Sequence, residues 1–241
     1  MPEQSQRITM DPNMTARPIF HHLEIPSGEA ASATFLFEMQ PILQVSDGRV
    51  MAYELLYRGT RPIEWAKVDN AVINFLSTPQ PGLPAVFVNL SNEILISHNA
   101  CDLAQAASAN DVTFELSEAV SGYSDRVAIA EKVNRMIDVG ARVALDDFGA
   151  GRDGLERLYS IRCASAVKID REFMLTCMQR PDAFRMLRML INQWRSEGVK
   201  SVAEGVENEA MFAFARELDV DLVQGWFVDS LVGMKQVGET A

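Results

Sequence analysis

The sequence predicts an α/β fold, a TIM-like (β/α)8 barrel whose first strand runs against the rest. Three observations carry this. Eight short apolar or β-branched runs follow one another along the chain, stretches of helical composition separate the later ones, and an Asp47-Gly48 turn joins the first two as a hairpin. Near-continuous apolar strands alternating with helices make a parallel sheet covered on its outer face, and eight of them within 241 residues suit closure into a barrel. On these features alone a doubly wound open sheet is the alternative.

Taken in order, residues 1–33 carry Pro, Ser, Gln and Thr without a sustained period and read as a mobile N-terminal tail, leaving 34–241 as one barrel domain. FLFEMQPILQ (35–44) and RVMAYELLYR (49–58) are the antiparallel pair. PAVFVNLS (84–91), VTFELSE (112–118), RVALDD (142–147), SAVKID (165–170), KSVAEG (200–205) and LVQGWFV (222–228) supply the other strands.

Composition narrows the function. No stretch reaches the ~18 apolar residues of a membrane span, and the first thirty lack a secretory pattern, so a cytoplasmic protein without membrane contact is expected. Cys101, Cys163 and Cys177 lack the number and spacing of a disulfide framework or a zinc site and read as reduced, mostly packed thiols. A formal charge of -11 disfavours a nucleic acid polymer, but not a small anion held through metal ions. Histidine occurs only at 21, 22 and 98, so chemistry falls to carboxylates, Lys, Arg and amides.

In a barrel the working residues gather at the C-terminal strand ends. There the sequence places Glu54, Asn89, Glu115, Glu118, Asp146, Asp147, Lys168, Glu204, Glu207 and Gln224. The two-residue strand period also puts Arg58 on the face of Glu54. Each residue alone has a plainer reading: Asp147 or Glu207 as a helix cap or turn, Asn89 as a helix start, Lys168 as a partner of Asp170. The set is harder to explain that way, because independent caps need not fall at one end of successive strands. Crowded carboxylates that outnumber Arg58 and Lys168 call for a cation. All-oxygen donors select a hard one, Mg²⁺ or Mn²⁺, and two ions bridged by an aspartate would explain the adjacent Asp146 and Asp147.

Between Met39 and Trp226, the segments QPI, Glu54-x-Leu56-x-Arg58, NLS, FELSE, DDFGAG, KID, AEGVE and QGW occur in that order. Together they resemble the EAL-domain family of cyclic di-GMP phosphodiesterases. The resemblance implies a TIM-like barrel with an antiparallel strand that hydrolyses cyclic di-GMP to linear pGpG with Mg²⁺ or Mn²⁺. It implies Glu54, Asn89, Glu115, Asp146, Asp147 and Glu204 as metal ligands, with Lys168 holding the attacking water and Glu204 also serving as general base. Arg58 and Gln224 match substrate-site positions, Glu118 a residue steadying the loop after DDFG, and Glu207 a supporting acid.

A homodimer is implied as well. The alternative within the family is a weak or inactive module that binds cyclic di-GMP or a protein partner. Departures from the family pattern are Leu55 within ELL, a short stretch from Arg58 to Asn89, Ala150, Arg152 and Asp153 after the paired aspartates, and FVDSLV after Trp226. With no sensory or GGDEF-like segment ahead of the barrel, a regulatory signal is expected to arrive through a partner, dimerisation or expression.

Overall fold

The computed structural model describes residues 22–28, 34–59, 64–117, 123–151 and 154–233. Strands β1 (His22–Pro26), β2 (Thr34–Gln44) and β3 (Val50–Tyr57) form a meander. The chain then alternates through α1 (Trp65–Leu76), β4 (Val86–Leu90), α2 (Asn92–Ser97), α3 (Ala100–Ala109), β5 (Val112–Leu116), α4 (Tyr123–Asp138), β6 (Arg142–Phe148) and α5 (Gly154–Ser160). It continues with β7 (Ala166–Ile169), α6 (Arg171–Gln179), α7 (Pro181–Ser196), β8 (Lys200–Ala203), α8 (Glu209–Leu218), β9 (Leu222–Gln224) and α9 (Trp226–Val232).

Strands β2 to β9 each pair with the next, and β9 returns to β2, so the eight close into a barrel and the open-sheet alternative falls. Only β2 is antiparallel to its barrel neighbours; β3 to β9 run parallel. At the hairpin, Gly48 adopts φ 72°, and Asp47 accepts a hydrogen bond from the Arg49 amide at 3.0 Å.

One strand lies inside the stretch read as tail. His22–Pro26 pairs antiparallel with Thr34–Glu38, and Ile25 is fully buried. HLEIP is too short to show a period, and its partner is the first half of β2, which at 11 residues overreaches the barrel. The rest of that stretch lies outside the described residues. The thiols also differ from the sequence reading: Cys177 is packed, whereas Cys101 and Cys163 are exposed.

The barrel is layered. Ile42, Ala52, Phe87, Ala144, Ala166, Val202 and Leu222 fill its interior as one apolar plug, three of them alanines that fit the narrow bore. Side chains alternate along a strand, so the next inward position is two residues away. At the mouth end those positions are Gln40, Glu54, Asn89, Glu115, Asp146, Lys168, Glu204 and Gln224. Outward-facing strand residues pack against the helices as a second, larger core. Asp170, the alternative partner for Lys168, instead caps α6 by accepting from the Phe173 amide at 3.0 Å.

Candidate active site

Lys168 is the centre of the mouth. Its side chain is 1% exposed, and Nζ lies 2.7 Å from Glu115 Oε1, 2.8 Å from Glu204 Oε1, 3.0 Å from Asp146 Oδ1 and 3.2 Å from Glu54 Oε2. Asn89 Nδ2 donates to Glu54 Oε1 at 2.9 Å, and Gln224 Nε2 donates to Glu54 Oε2. One ammonium thus faces four carboxylates.

Burial and charge set the protonation of this group. For Lys168, burial opposes the charge, but Glu115, Glu54, Glu204 and Asp146 overcome it and raise the pKa well above the usual lysine value. It is therefore a fixed cation and no proton acceptor near neutrality. Burial would raise Glu54, but Lys168 and the amides of Gln224 and Asn89 bring it below the ordinary carboxylate value. Glu115 is raised well above normal, first by burial and then by the charge of Glu54. Burial, with the charge of Asp146 added, pushes Glu204 up to about 8 against the pull of Lys168.

The adjacent aspartates owe their placement to a β-bulge. Between β6 and β7 the register passes from Leu145↔Val167 to Phe148↔Ile169, so two residues oppose Lys168. In a regular strand Asp146 and Asp147 would face opposite sides; the bulge, with Asp147 at φ 55°, turns both toward the mouth. The turn that follows needs glycine at 149. Its φ is 102°, and an added Cβ would fall 2.3 Å from the Phe173 ring.

A cation fits here on the chemistry of the donors. Asp146, Asp147 and Glu204 each offer an oxygen, all within 4.8 Å of one another. Both Glu115 oxygens and Asp146 Oδ1 are buried without a well-aligned hydrogen bond, so Lys168 only partly compensates the acids. A cavity of about 270 Å³ opens beside Glu204, bounded also by Glu54, Gln40, Gln224 and Trp226, the last 62% exposed.

Seven of the expected residues, Glu54, Asn89, Glu115, Asp146, Lys168, Glu204 and Gln224, share this layer, and Asp147 joins at its lip. Arg58 sits apart on the rim, its Nε 2.7 Å from Glu38 Oε2. Glu207 is also on the rim, where both its oxygens pair with Arg171 at 2.8 Å. Glu118, Arg152 and Asp153 lie outside the described residues.

Four further residues escaped the sequence reading. Gln40 stands at the mouth because β2 runs backwards, so its middle, not its C-terminal end, lies among the functional strand ends; the reversed period of β2 was the available signal. Glu38, two residues earlier, follows the same logic. Arg157 on α5 donates to the carbonyls of Leu116 at 2.7 Å and Asp146 at 3.2 Å, tying together the strands that carry Glu115 and Asp146. Asp229 on α9 is 3% exposed and accepts from Gln40 at 2.9 Å. Neither Arg157 nor Asp229 had a local sequence signal.

The EAL domain family model matches residues 67–230. Oxygen sensor protein DosP of Escherichia coli (strain K12) is 28% identical over 151 residues, covering 60% of this chain and 19% of DosP. Cyclic di-GMP phosphodiesterase NbdA of Pseudomonas aeruginosa is 24% identical over 216 residues, 78% of this chain and 28% of NbdA. The chain therefore spans less than a third of either relative.

Among solved structures, the EAL domain of Mycobacterium smegmatis DcpA superposes with a TM-score of 0.62 at 24% identity, over 80% of this chain and 88% of that one. Klebsiella pneumoniae BlrP1 in complex with calcium and cyclic di-GMP gives 0.63 at 21%, over 79% and 54%. These likenesses speak for the fold. With the closed barrel, the reversed first strand and the family match over residues 67–230, the chain belongs to the EAL-domain family.

Proposed function

We propose that this chain is a metal-dependent phosphodiesterase that hydrolyses cyclic di-GMP to linear pGpG. The observation that carries the reading is the complete ring of acids around a buried lysine at the barrel mouth, which neither a cap nor a solvated turn explains. Relatives named as cyclic di-GMP phosphodiesterases support the substrate.

In this reading Glu54, Asn89, Glu115, Asp146, Asp147 and Glu204 hold Mg²⁺ or Mn²⁺, two ions in all. Such ions acidify a bound water and offset charge on phosphate oxygens. Lys168 keeps its charge throughout and holds the attacking water beside the acids. Glu204, whose own proton would be displaced when cations bind, accepts the water proton. The water oxygen bonds to phosphorus and the bond from phosphorus to the 3′ oxygen breaks, leaving the 5′ phosphate that linear pGpG carries; the 3′ oxygen takes up a proton from solvent, and Glu204 later returns its own to solvent. Arg58, braced through Nε by Glu38, turns its remaining N–H groups toward a substrate phosphate. Gln224 orients Glu54 on the substrate side, and Glu118 and Glu207 support the surrounding loops.

A homodimer belongs to the same proposal. Leu155 and Tyr159, four residues apart and both exposed on α5, offer it an apolar face. A protein partner and a location in the cytoplasm are proposed with it. Among the described residues, no helix is long and apolar enough to cross a membrane.

Incubation with cyclic di-GMP and Mg²⁺ or Mn²⁺, followed by chromatography, tests the reading. The wild type is expected to release pGpG, and Glu54→Ala, which removes an acid at the centre of the cluster, should lose nearly all turnover while still folding. Tight binding of cyclic di-GMP by the wild type without any product would replace the enzyme with a binding module.

A further inference from the structure

Asp229 departs from any role in the acid ring, yet it is buried at the first turn of α9 and aimed at β2. A directed chain of hydrogen bonds leads from it to the site. Gln40 Nε2 donates to Asp229 Oδ2 at 2.9 Å, Gln224 Nε2 donates to Gln40 Oε1 at 2.9 Å, and the same Gln224 amide donates to Glu54 Oε2. An acid side chain stands at each end, and in both contacts it is the amide NH₂ that donates to it.

Two carboxylate ends leave the two amides one orientation. Asp229 takes the NH₂ of Gln40, which turns the Gln40 carbonyl toward Gln224. Gln224 must then present its own NH₂, whose second hydrogen goes to Glu54. If Gln40 flipped, its NH₂ would meet that of Gln224, and Gln224 would answer by turning its carbonyl onto the Glu54 carboxylate. Acceptor would face acceptor in a buried site.

We infer that Asp229 is a positioning residue that fixes the polarity of the Gln40 and Gln224 amides, and through them the orientation of Glu54 for cation binding. This rests on the metal-dependent reading above. Partners behind metal ligands typically matter about 10–100-fold in metal affinity or activity.

The test is Mn²⁺ binding by calorimetry on the full chain, without substrate. Asp229→Asn keeps the size and shape of the side chain but offers an NH₂ that invites the Gln40 flip. It should weaken Mn²⁺ binding about 10-fold or more with little change in melting temperature. Gln40→Met breaks the chain at its middle, at a half-buried position, and should reproduce the loss. Equal Mn²⁺ affinity in wild type and a folded Asp229→Asn or Gln40→Met overturns the inference while leaving the phosphodiesterase reading intact. Absence of Mn²⁺ binding by the wild type overturns both.

Discussion

At the scale of single residues, the crowding of acids at the mouth makes stability depend on pH through Glu115 and Glu204. Both bind a proton more tightly in the folded chain than in the unfolded one. A carboxyl raised in this way contributes fully below its unfolded value, near 4.5, and the contribution fades as the pH climbs through the folded value, about 8 for Glu204. Glu54, lowered, acts in the opposite sense: its contribution is present above the usual carboxylate value and disappears toward acid. Between pH 5 and 8 the raised pair governs, so in EDTA the melting temperature should fall across that window. Mn²⁺ should flatten the slope, because a cation takes the place of the missing protons. Thermal denaturation at both ends of the window, with and without Mn²⁺, checks this; a metal-free protein as stable at pH 8 as at pH 5 would contradict it.

At the scale of elements, the polar layer was legible because the parallel strands, β5 with Thr113 excepted, repeat one motif, an inward apolar residue and then a polar one two positions later. Ala52-x-Glu54, Ala144-x-Asp146, Ala166-x-Lys168 and Val202-x-Glu204 all follow it. The bulge in β6 was not legible, since it depends on the register against β7, and only the Asp-Asp pair hinted at it. Gln40 and Asp229 meet across 189 positions of sequence, and Arg157 reaches a carbonyl 41 positions away, so neither contact leaves a local pattern. Strand β1 escaped because five residues with Pro at the end carry no measurable period.

Two outcomes belong to this scale. Asp147→Asn, which tolerates the left-handed backbone, should keep the melting temperature but lose most hydrolysis, whereas Asp147→Val should cost roughly 1–3 kcal/mol in addition; paired melting and activity measurements separate the two. Ile25→Ala should lower unfolding free energy by roughly 2–5 kcal/mol in urea titration if β1 is integral to the fold. A change near zero would return His22–Pro26 to the tail.

At the scale of the whole molecule, the closed barrel does electrostatic work that the net charge of -11 only hints at. Closure brings strand ends from every part of the chain into one small, partly dry volume. Repulsion among the acids that collect there is held in check by Lys168 and by the raised proton affinity of Glu115 and Glu204, and on the proposed reading by bound cations. Fold class and family membership were legible from the strand rhythm and the ordered motifs; how Lys168 pairs with four acids at once was not, because it arises only when the barrel closes. The most direct test of that picture is an anomalous diffraction map from crystals soaked in manganese. The account predicts manganese peaks at the mouth, ligated by carboxylates of the group Glu54, Glu115, Asp146, Asp147 and Glu204. A map without peaks there, with the same acids still gathered on Lys168, would show that the lysine alone completes the site and would contradict it.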